Sequence, residues 1–419
     1  MKRNRFIVAL VFLIFFVISF LTNILGPLIP DIIKSFNLSL TLAGFLPFSF
    51  FVAYGVMSIP AGMLVERYRE KRVMLLAFIT ALAGALLFAI LPRFSVALPS
   101  LFLIGIGMAM LQVAINPLLR VAGGEEHFAF NSVFAQLVFG LASFLSPMVF
   151  SYLVLNLPET SGRSGLHLEI LRKVVPDGLP WVSLYWIFSA VTLAMVVIIA
   201  AVRLPQVELK EEERAGAWAV YKELFRRRIV VLYFLGIFAY VGTEQGVANW
   251  ISKFLATYHG VDPQTKGAST VSLFWGLMTA GCLLGLVFLK LFDSRRILIG
   301  FSAASVVALS CALFGPGPLA TIAFPLVGFF ISVMWSIIFS LALNSLDKHH
   351  GCFSGILVTG VIGGALVPLV IGWLADRLGL RIGMMFIYLT LAYILSIGFW
   401  SRPLITNVTI RLRKKKAEV

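Results

Sequence analysis

In a chain of 419 residues, 60% apolar side chains, 13% charged side chains and a mean hydropathy of +0.97 leave too few charges for a water-facing surface; soluble domains carry about a quarter of their residues as charges. A soluble enzyme or regulatory domain is excluded, and a chain immersed in lipid is expected. The net charge of +15 would point to nucleic acid in a soluble protein, but in a membrane protein it reads as the enrichment of Lys and Arg on the cytoplasmic side.

Twelve apolar runs are long enough to cross a hydrocarbon layer of about 30 Å, at roughly 6–29, 43–63, 73–92, 99–121, 129–154, 183–202, 229–256, 269–291, 295–315, 318–344, 351–376 and 383–401. The first follows Lys2, Arg3 and Arg5 and runs to about Ile29. That is past the 7–15 residues of a signal-peptide core, so it is taken as an uncleaved span. It carries Asn23, a polar side chain in hydrocarbon, and such groups are costly unless they are paired or face water.

Between spans 2 and 3 stands Gly62-Met-Leu-Val-Glu66-Arg67-Tyr-Arg69-Glu-Lys71-Arg72. Its small residue permits close helix approach, its acid suits a helix start and its basic cluster stays at the inner headgroups. A counterpart between spans 8 and 9, Gly285 to Arg296, contains Asp293 and Arg295. Gly62, Glu66, Arg67, Asp293 and Arg295 are therefore candidate gating residues. Span 4 places Gln112 and Asn116 four apart, on one face, beside Pro117, which weakens the helix. Span 5 contributes Gln136.

After span 6, residues 203–228 are charged and amphipathic and read as a linker on the inner membrane face. The organisation is thus an N-terminal half (1–202), a cytoplasmic linker (203–228), a C-terminal half (229–402) and a basic cytoplasmic tail (403–419). Span 7 holds Glu244 about two-thirds of the way through, the deepest carboxylate of the chain, followed by Gln245, Asn249 and Trp250. Glu244 is the candidate ion-coupling residue, with Lys253 its most obvious structural partner. Trp275 in span 8 and Trp335 in span 10 complete a mixture of amides, a carboxylate and indoles. That mixture suits a sugar, whose C–H faces pack on indoles while its hydroxyls seek hydrogen bonds. Trp181, Trp186 and Trp400, near span ends, read as interfacial-belt residues.

Span 11 contains Gly360 to Pro368, roughly repeating Gly140 to Pro147 of span 5. It ends in Gly372-Trp-Leu-Ala-Asp376-Arg377, which also fits the pattern of the turn between spans 2 and 3 but falls on the opposite side. Cys282, Cys311 and Cys352 offer neither a disulfide framework nor a metal motif, and Glu125, Glu126, His127, His349 and His350 read as helix-end solvation. The chain has no GxxxxGK[ST] sequence, so a built-in P-loop motor is absent. No nucleophilic triad converges in the spans, and no enzyme activity is expected.

Parallel six-helix halves mark the major facilitator architecture. The segments Ala53 to Glu66, Tyr240-Val-Gly-Thr-Glu244, Phe339 to Leu343 and Gly360 to Pro368 resemble the fucose:galactose:glucose symporter family within it. The resemblance implies an all-α membrane protein of twelve transmembrane helices in two pseudo-symmetric halves, moving a monosaccharide across the bacterial inner membrane by alternating access. It departs from the family where an Asn-Asp pair is replaced by Leu25 and Gly26, a Glu by Gln112, and a Gln and an Asn by Phe134 and Leu137. H+ or Na+ coupling through Glu244 is expected, with an uncoupled facilitator or an exporter of other small molecules as the alternative. The further expectations are a sugar substrate, a lipid bilayer environment, a monomer, both termini cytoplasmic, and no cofactor, metal or nucleic acid.

Overall fold

Backbone groups left unpaired in hydrocarbon cost several kcal/mol, so an apolar run crossing a bilayer folds as helix. The computed structural model describes residues 5–123, 128–158, 165–204, 218–346 and 350–402. The first half comprises α1 (Arg5–Thr22), α2 (Leu25–Phe36), α3 (Leu40–Ile90), α4 (Phe94–Gly123), α5 (Phe128–Asn156), the short α6 (Leu166–Val174) and α7 (Ser183–Ala201). A short helix, α8 (Trp218–Arg226), precedes the second half. That half comprises α9 (Arg228–Ala248), α10 (Ile251–His259), α11 (Ala268–Leu291), α12 (Ser294–Phe314), α13 (Gly317–Ile331), α14 (Met334–Leu343), α15 (His350–Thr359), α16 (Gly363–Leu378) and α17 (Leu380–Trp400).

Among the described residues, eleven stretches are long and apolar enough to cross a membrane. One of them is α3, whose 51 residues would make a rod of about 77 Å, more than twice the hydrocarbon thickness. Its backbone turns at Arg69 (φ 68°, ψ 163°), a conformation that side chains rarely adopt. Counted as two, α3 brings the crossings to the expected twelve. The turn expected over about ten residues is compressed because helix resumes on both sides of Arg69, and Lys71 Nζ caps the end of α7 by donating to the Ala200 and Val202 carbonyls (2.9 and 2.7 Å).

Several spans are jointed. Pro27 has no N–H for the carbonyl of Asn23 and its ring crowds it, and the first span breaks there, between α1 and α2. A second break separates α9 from α10, where Asn249 Nδ2 donates to the Gln245 carbonyl (2.9 Å). Others lie between α13 and α14 and at the 3₁₀ turn Gly360–Ile362.

One face of the bundle carries the Glu66–Arg72 turn and is called the basic face; the opposite one is the far face. The halves meet where α3 runs along α16 and α5 along α11. Toward the far face α2 also packs on α10, whereas α1 and α9, the basic-side parts of the same spans, have no comparable packing. In α8, Tyr221 and Leu224 are buried, with the Tyr221 hydroxyl beside Gly355 of α15. Trp181 departs from the expected interfacial belt: it is 1% exposed, packs against Phe36 and Phe88, and its Nε1 donates to Ser35 Oγ (3.0 Å). A span-end position brings it under the closure of the far face rather than into the lipid interface.

Candidate functional site

Between the halves lies a cavity of about 440 Å³, within the ~300–1,000 Å³ range of small-molecule sites. Its lining runs from the joint in the first span (Thr22, Asn23) toward the basic face (Phe15, Ser132, Gly285, Leu289). It therefore opens from the middle of the bundle toward the basic face.

The first half supplies amides. Gln112 of α4 and Gln136 of α5 line the cavity, and neither makes a side-chain hydrogen bond to any described residue, so both are available to a ligand. Asn23 lines it too, but its Nδ2 donates to Ser143 Oγ (2.8 Å), which is also bonded to Ser19 Oγ (2.6 Å). Asn23 is thus a shaping residue that keeps its carbonyl oxygen and one N–H for other partners.

The second half supplies the carboxylate. Glu244 sits on α9 with Tyr240 one turn earlier on the same face. Tyr240 Oη donates to one carboxylate oxygen of Glu244 (2.7 Å) and Gln245 Nε2 to the other (3.0 Å). Among the described residues Glu244 has no ion pair, so Lys253 is not its partner. The Trp335 indole of α14 lies 6.0 Å from the Tyr240 ring and stacks on Phe339 at 5.9 Å with an interplanar angle of 18°. Trp275 of α11 also lines the cavity, and its Nε1 is buried without a partner. Among the described residues no Lys, Arg or His lines the cavity, and Glu244 is its only acid.

Seven of the ten residues expected to bind substrate or ion are therefore brought to one cavity: Asn23, Gln112, Gln136, Glu244, Gln245, Trp275 and Trp335. Three are not. Asn116 is exposed, its Nδ2 turned back to the Gln112 carbonyl (3.2 Å). Asn249 is buried and bonds Gln245 through both its carbonyl oxygen and Oε1 (2.9 and 3.3 Å). Trp250 is fully buried and donates to the Pro368 carbonyl (3.2 Å), holding the far-face part of its span to α16. Tyr240, Thr279 and Ser143 belong to the cavity although the sequence reading did not single them out. The four-residue spacing of Tyr240 from Glu244 was the legible signal for the first.

Gly26, where the family places an acid, explains its own identity. A Cβ there would stand 2.4 Å from the Ala248 carbonyl oxygen, so the position is a helix contact with no room for a carboxylate.

The gating candidates lie at the basic face. Asp293 caps α12 through the Arg295 N–H (2.8 Å) and pairs with Arg295 Nε (3.3 Å), while Arg295 Nη1 reaches the Ser401 carbonyl (3.4 Å). Both residues thus tie α12 to the end of α17 within one half. Partial burial works to raise the Asp293 pKa, but the bonds and charge of Arg295 outweigh it and hold the carboxyl below the usual range. Glu66 lies within electrostatic reach of Tyr221 on the linker helix α8 and of Cys352 in the other half, and the exposed Arg67 guanidinium sits over the Tyr68 ring. Gly62 is half-buried on α3. Glu125, Glu126, His127 and His349, with the 403–419 tail and residues 205–217 of the linker, lie outside the described residues.

Two jointed six-helix halves around a central cavity, sealed at one face, define a membrane transporter. Residues 11–368 match the family model of the Major Facilitator Superfamily, and the chain belongs to that superfamily. Among its relatives is the glucose/galactose transporter of Brucella abortus biovar 1 (strain 9-941), 30% identical over 95% of this chain and 94% of the relative. The L-fucose-proton symporter of Escherichia coli (strain K12) is 24% identical over 88% and 87%. In fold, the chain matches the crystal structure of a bacterial homologue of the human lysosomal transporter Spinster, with a TM-score of 0.75 at 16% identity, over 95% of this chain and 96% of that one.

Proposed function

We propose that the protein is a proton-coupled symporter that carries a neutral monosaccharide across the bacterial inner membrane by alternating access. The observation that carries this reading is the pair of free amides, Gln112 and Gln136, sharing with Glu244 and Trp335 a cavity that no basic side chain lines among the described residues. Hydroxyls are matched by the amides and the carboxylate, a sugar C–H face by the indole, and an anionic substrate finds no counter-charge. The names of the relatives, a glucose/galactose transporter and an L-fucose-proton symporter, support the same substrate class.

The basic face is assigned to the cytoplasm by the excess of Lys and Arg there, with both termini on that side and the cavity facing inward. Residues 1–202 and 229–402 would move as the two halves of a monomer in the bilayer, joined through 203–228. Glu66, Arg67 and Gly62, with Asp293 and Arg295, would set the stability of the basic-face closure.

Coupling follows from hydrogen-bond bookkeeping at Glu244. An ionised carboxylate only accepts, and Tyr240 and Gln245 supply its donors. Protonation turns one oxygen into a donor, one of those bonds is given up, and the new donor needs an acceptor. A sugar hydroxyl provides one, so proton and sugar favour each other's binding. Tyr240 and Gln245 turn donors toward the carboxylate rather than the cage of oxygen lone pairs that a sodium ion needs.

Counterflow of labelled glucose, galactose and fucose in proteoliposomes tests the assignment, run beside extrusion of a lipophilic cation. Exchange of a monosaccharide is expected. Extrusion without sugar exchange would replace the proposal with a drug exporter, and sugar exchange that no pH gradient stimulates would reduce it to a facilitator.

A further inference from the structure

The turn-like sequence at the end of span 11, Gly372-Trp-Leu-Ala-Asp376-Arg377, has no part in the cavity, yet its acid makes a dense set of contacts between the halves. Asp376, at the last turn of α16, accepts from the backbone N–H groups of Leu40 and Thr41 (both 2.8 Å) and from the Thr41 hydroxyl. Leu40 and Thr41 are the first two residues of α3. Their amides are among the helix-start donors that have no partner within the helix, and a carboxylate there is also favoured by the helix dipole. Ser39, the residue before α3, caps the Leu42 N–H (3.2 Å) and its side chain also bonds Asp376, so the first two amides of α3 are met by an acid borrowed from the other half. One turn before Asp376, Gly372 allows α16 to sit against the Leu40 carbonyl, 2.4 Å from where a Cβ would stand. A second bond crosses nearby, as Gln264 Nε2 donates to both carboxylate oxygens of Asp31 on α2 (3.1 and 3.2 Å).

The arrangement has an approximate counterpart at the basic face. α3 and α16 run antiparallel, and Glu66, toward the basic end of the first part of α3, lies within electrostatic reach of Cys352 near the start of α15. Each span therefore carries an acid toward its end, although only Asp376 bonds the start of the other.

We propose that Asp376 is the far-face latch of the transport cycle: its capping of the α3 start holds the two halves together on that side, and it must release before the cavity can open there. The proposal rests on the alternating-access reading but not on the identity of the substrate. Asp376 is exposed, so water can replace each bond as it breaks, which suits a contact made and broken in every turnover. The Asp31–Gln264 pair is the auxiliary arm.

The test is the separation of the far-face tips in the full-length protein, reconstituted without sugar. Spin labels at Asp177→Cys and Pro316→Cys, in a background with Cys282, Cys311 and Cys352 replaced by Ser, report it by pulsed electron resonance. The short distance should dominate in the otherwise unaltered chain. Asp376→Ala, which removes three bonds, should raise the ratio of long to short populations about tenfold or more, Gln264→Ala, which removes two, by less, and Thr41→Val, which removes one, by less again. A thermal melt accompanies each variant, and should Asp376→Ala fail to fold, Thr41→Val and Gln264→Ala carry the measurement. Unchanged distance distributions in folded variants overturn the latch. Because no sugar is present, a chain that fails sugar counterflow yet shows the graded opening refutes the substrate assignment and leaves the latch standing.

Discussion

Replacing Glu244 by Gln keeps the side chain's size and one oxygen acceptor while removing the group that titrates. In the structure the carboxylate receives Tyr240 Oη at 2.7 Å and Gln245 Nε2 at 3.0 Å. The amide can accept from one of them and must turn its own N–H groups toward the other or toward the cavity. A hydrogen bond to a charged group contributes about 1.5–3 kcal/mol and one between neutral groups about 0.5–1.5, so exchanging one for the other costs about 1–1.5 kcal/mol. The sugar contact itself is made by the protonated, neutral carboxyl, so for affinity only the neutral scale of about 0.5–1.5 kcal/mol applies, a weakening of no more than about 12-fold. Exchange of labelled sugar at saturating concentration should therefore survive. Accumulation should not: one proton per sugar across a gradient of one pH unit drives at most about tenfold accumulation, and the variant should settle near onefold. The assay is uptake into proteoliposomes with an imposed pH gradient, beside counterflow in the same preparation. Gradient-driven accumulation by Glu244→Gln equal to that of the unaltered protein would refute the coupling role, whatever happened to affinity.

Two further outcomes follow from the same geometry. Gln112→Ala should weaken sugar binding about 5–100-fold by removing an amide able to make two hydrogen bonds, whereas Asn116→Ala, on a residue turned away from the cavity, should stay within about twofold; equal losses measured by titration calorimetry would put both amides in the site. Asp293→Asn should keep the cap but lower thermal stability by about 0.3–1 kcal/mol, the scale of a charge at a helix start and of a partly exposed ion pair. Since the Asp293 pKa lies below the usual carboxylate range when folded, its contribution is full above the unfolded value and fades as pH falls through the folded one. The gap between the two proteins should accordingly close on acidification below about pH 4, and a gap that widened there would contradict the role given to the charge.

How much of this was legible in sequence differs by level. The spans and their number were, because hydrocarbon thickness sets a length that apolar runs either meet or miss, and the exception at Arg69 concerned only how tightly one turn closes. The face shared by Tyr240 and Glu244 was legible in principle, since helical period alone places it. Trp250 and Asn249 were not separable from Gln245 by sequence: all follow Glu244 closely, and only the helix break after Ala248 turns Trp250 toward Pro368 and Asn249 back on its own span. Gln112 and Asn116 show the limit of periodicity more sharply. They share a face, yet one lines the cavity and the other folds back on the helix backbone, because the cavity's outline is set by the neighbouring helices. Gly26 reads as the loss of an acid in sequence and as a steric requirement in three dimensions, and no local pattern could distinguish the two.

The joints in the spans have a mechanical consequence. A continuous helix is a stiff rod that moves both gates at once, whereas a span broken at its centre is two levers sharing a pivot. The basic-side lever of the first span, α1, has 18 residues and is about 27 Å long; a bend of about 10° at Asn23 would sweep its end through about 5 Å, the diameter of a helix backbone, while α2 stays clamped against α10. The mouth at the basic face can thus shut before the far-face one lets go. A carrier built in this way passes through a moment when its cargo touches neither solution, which is what keeps a gradient from leaking while the cargo crosses.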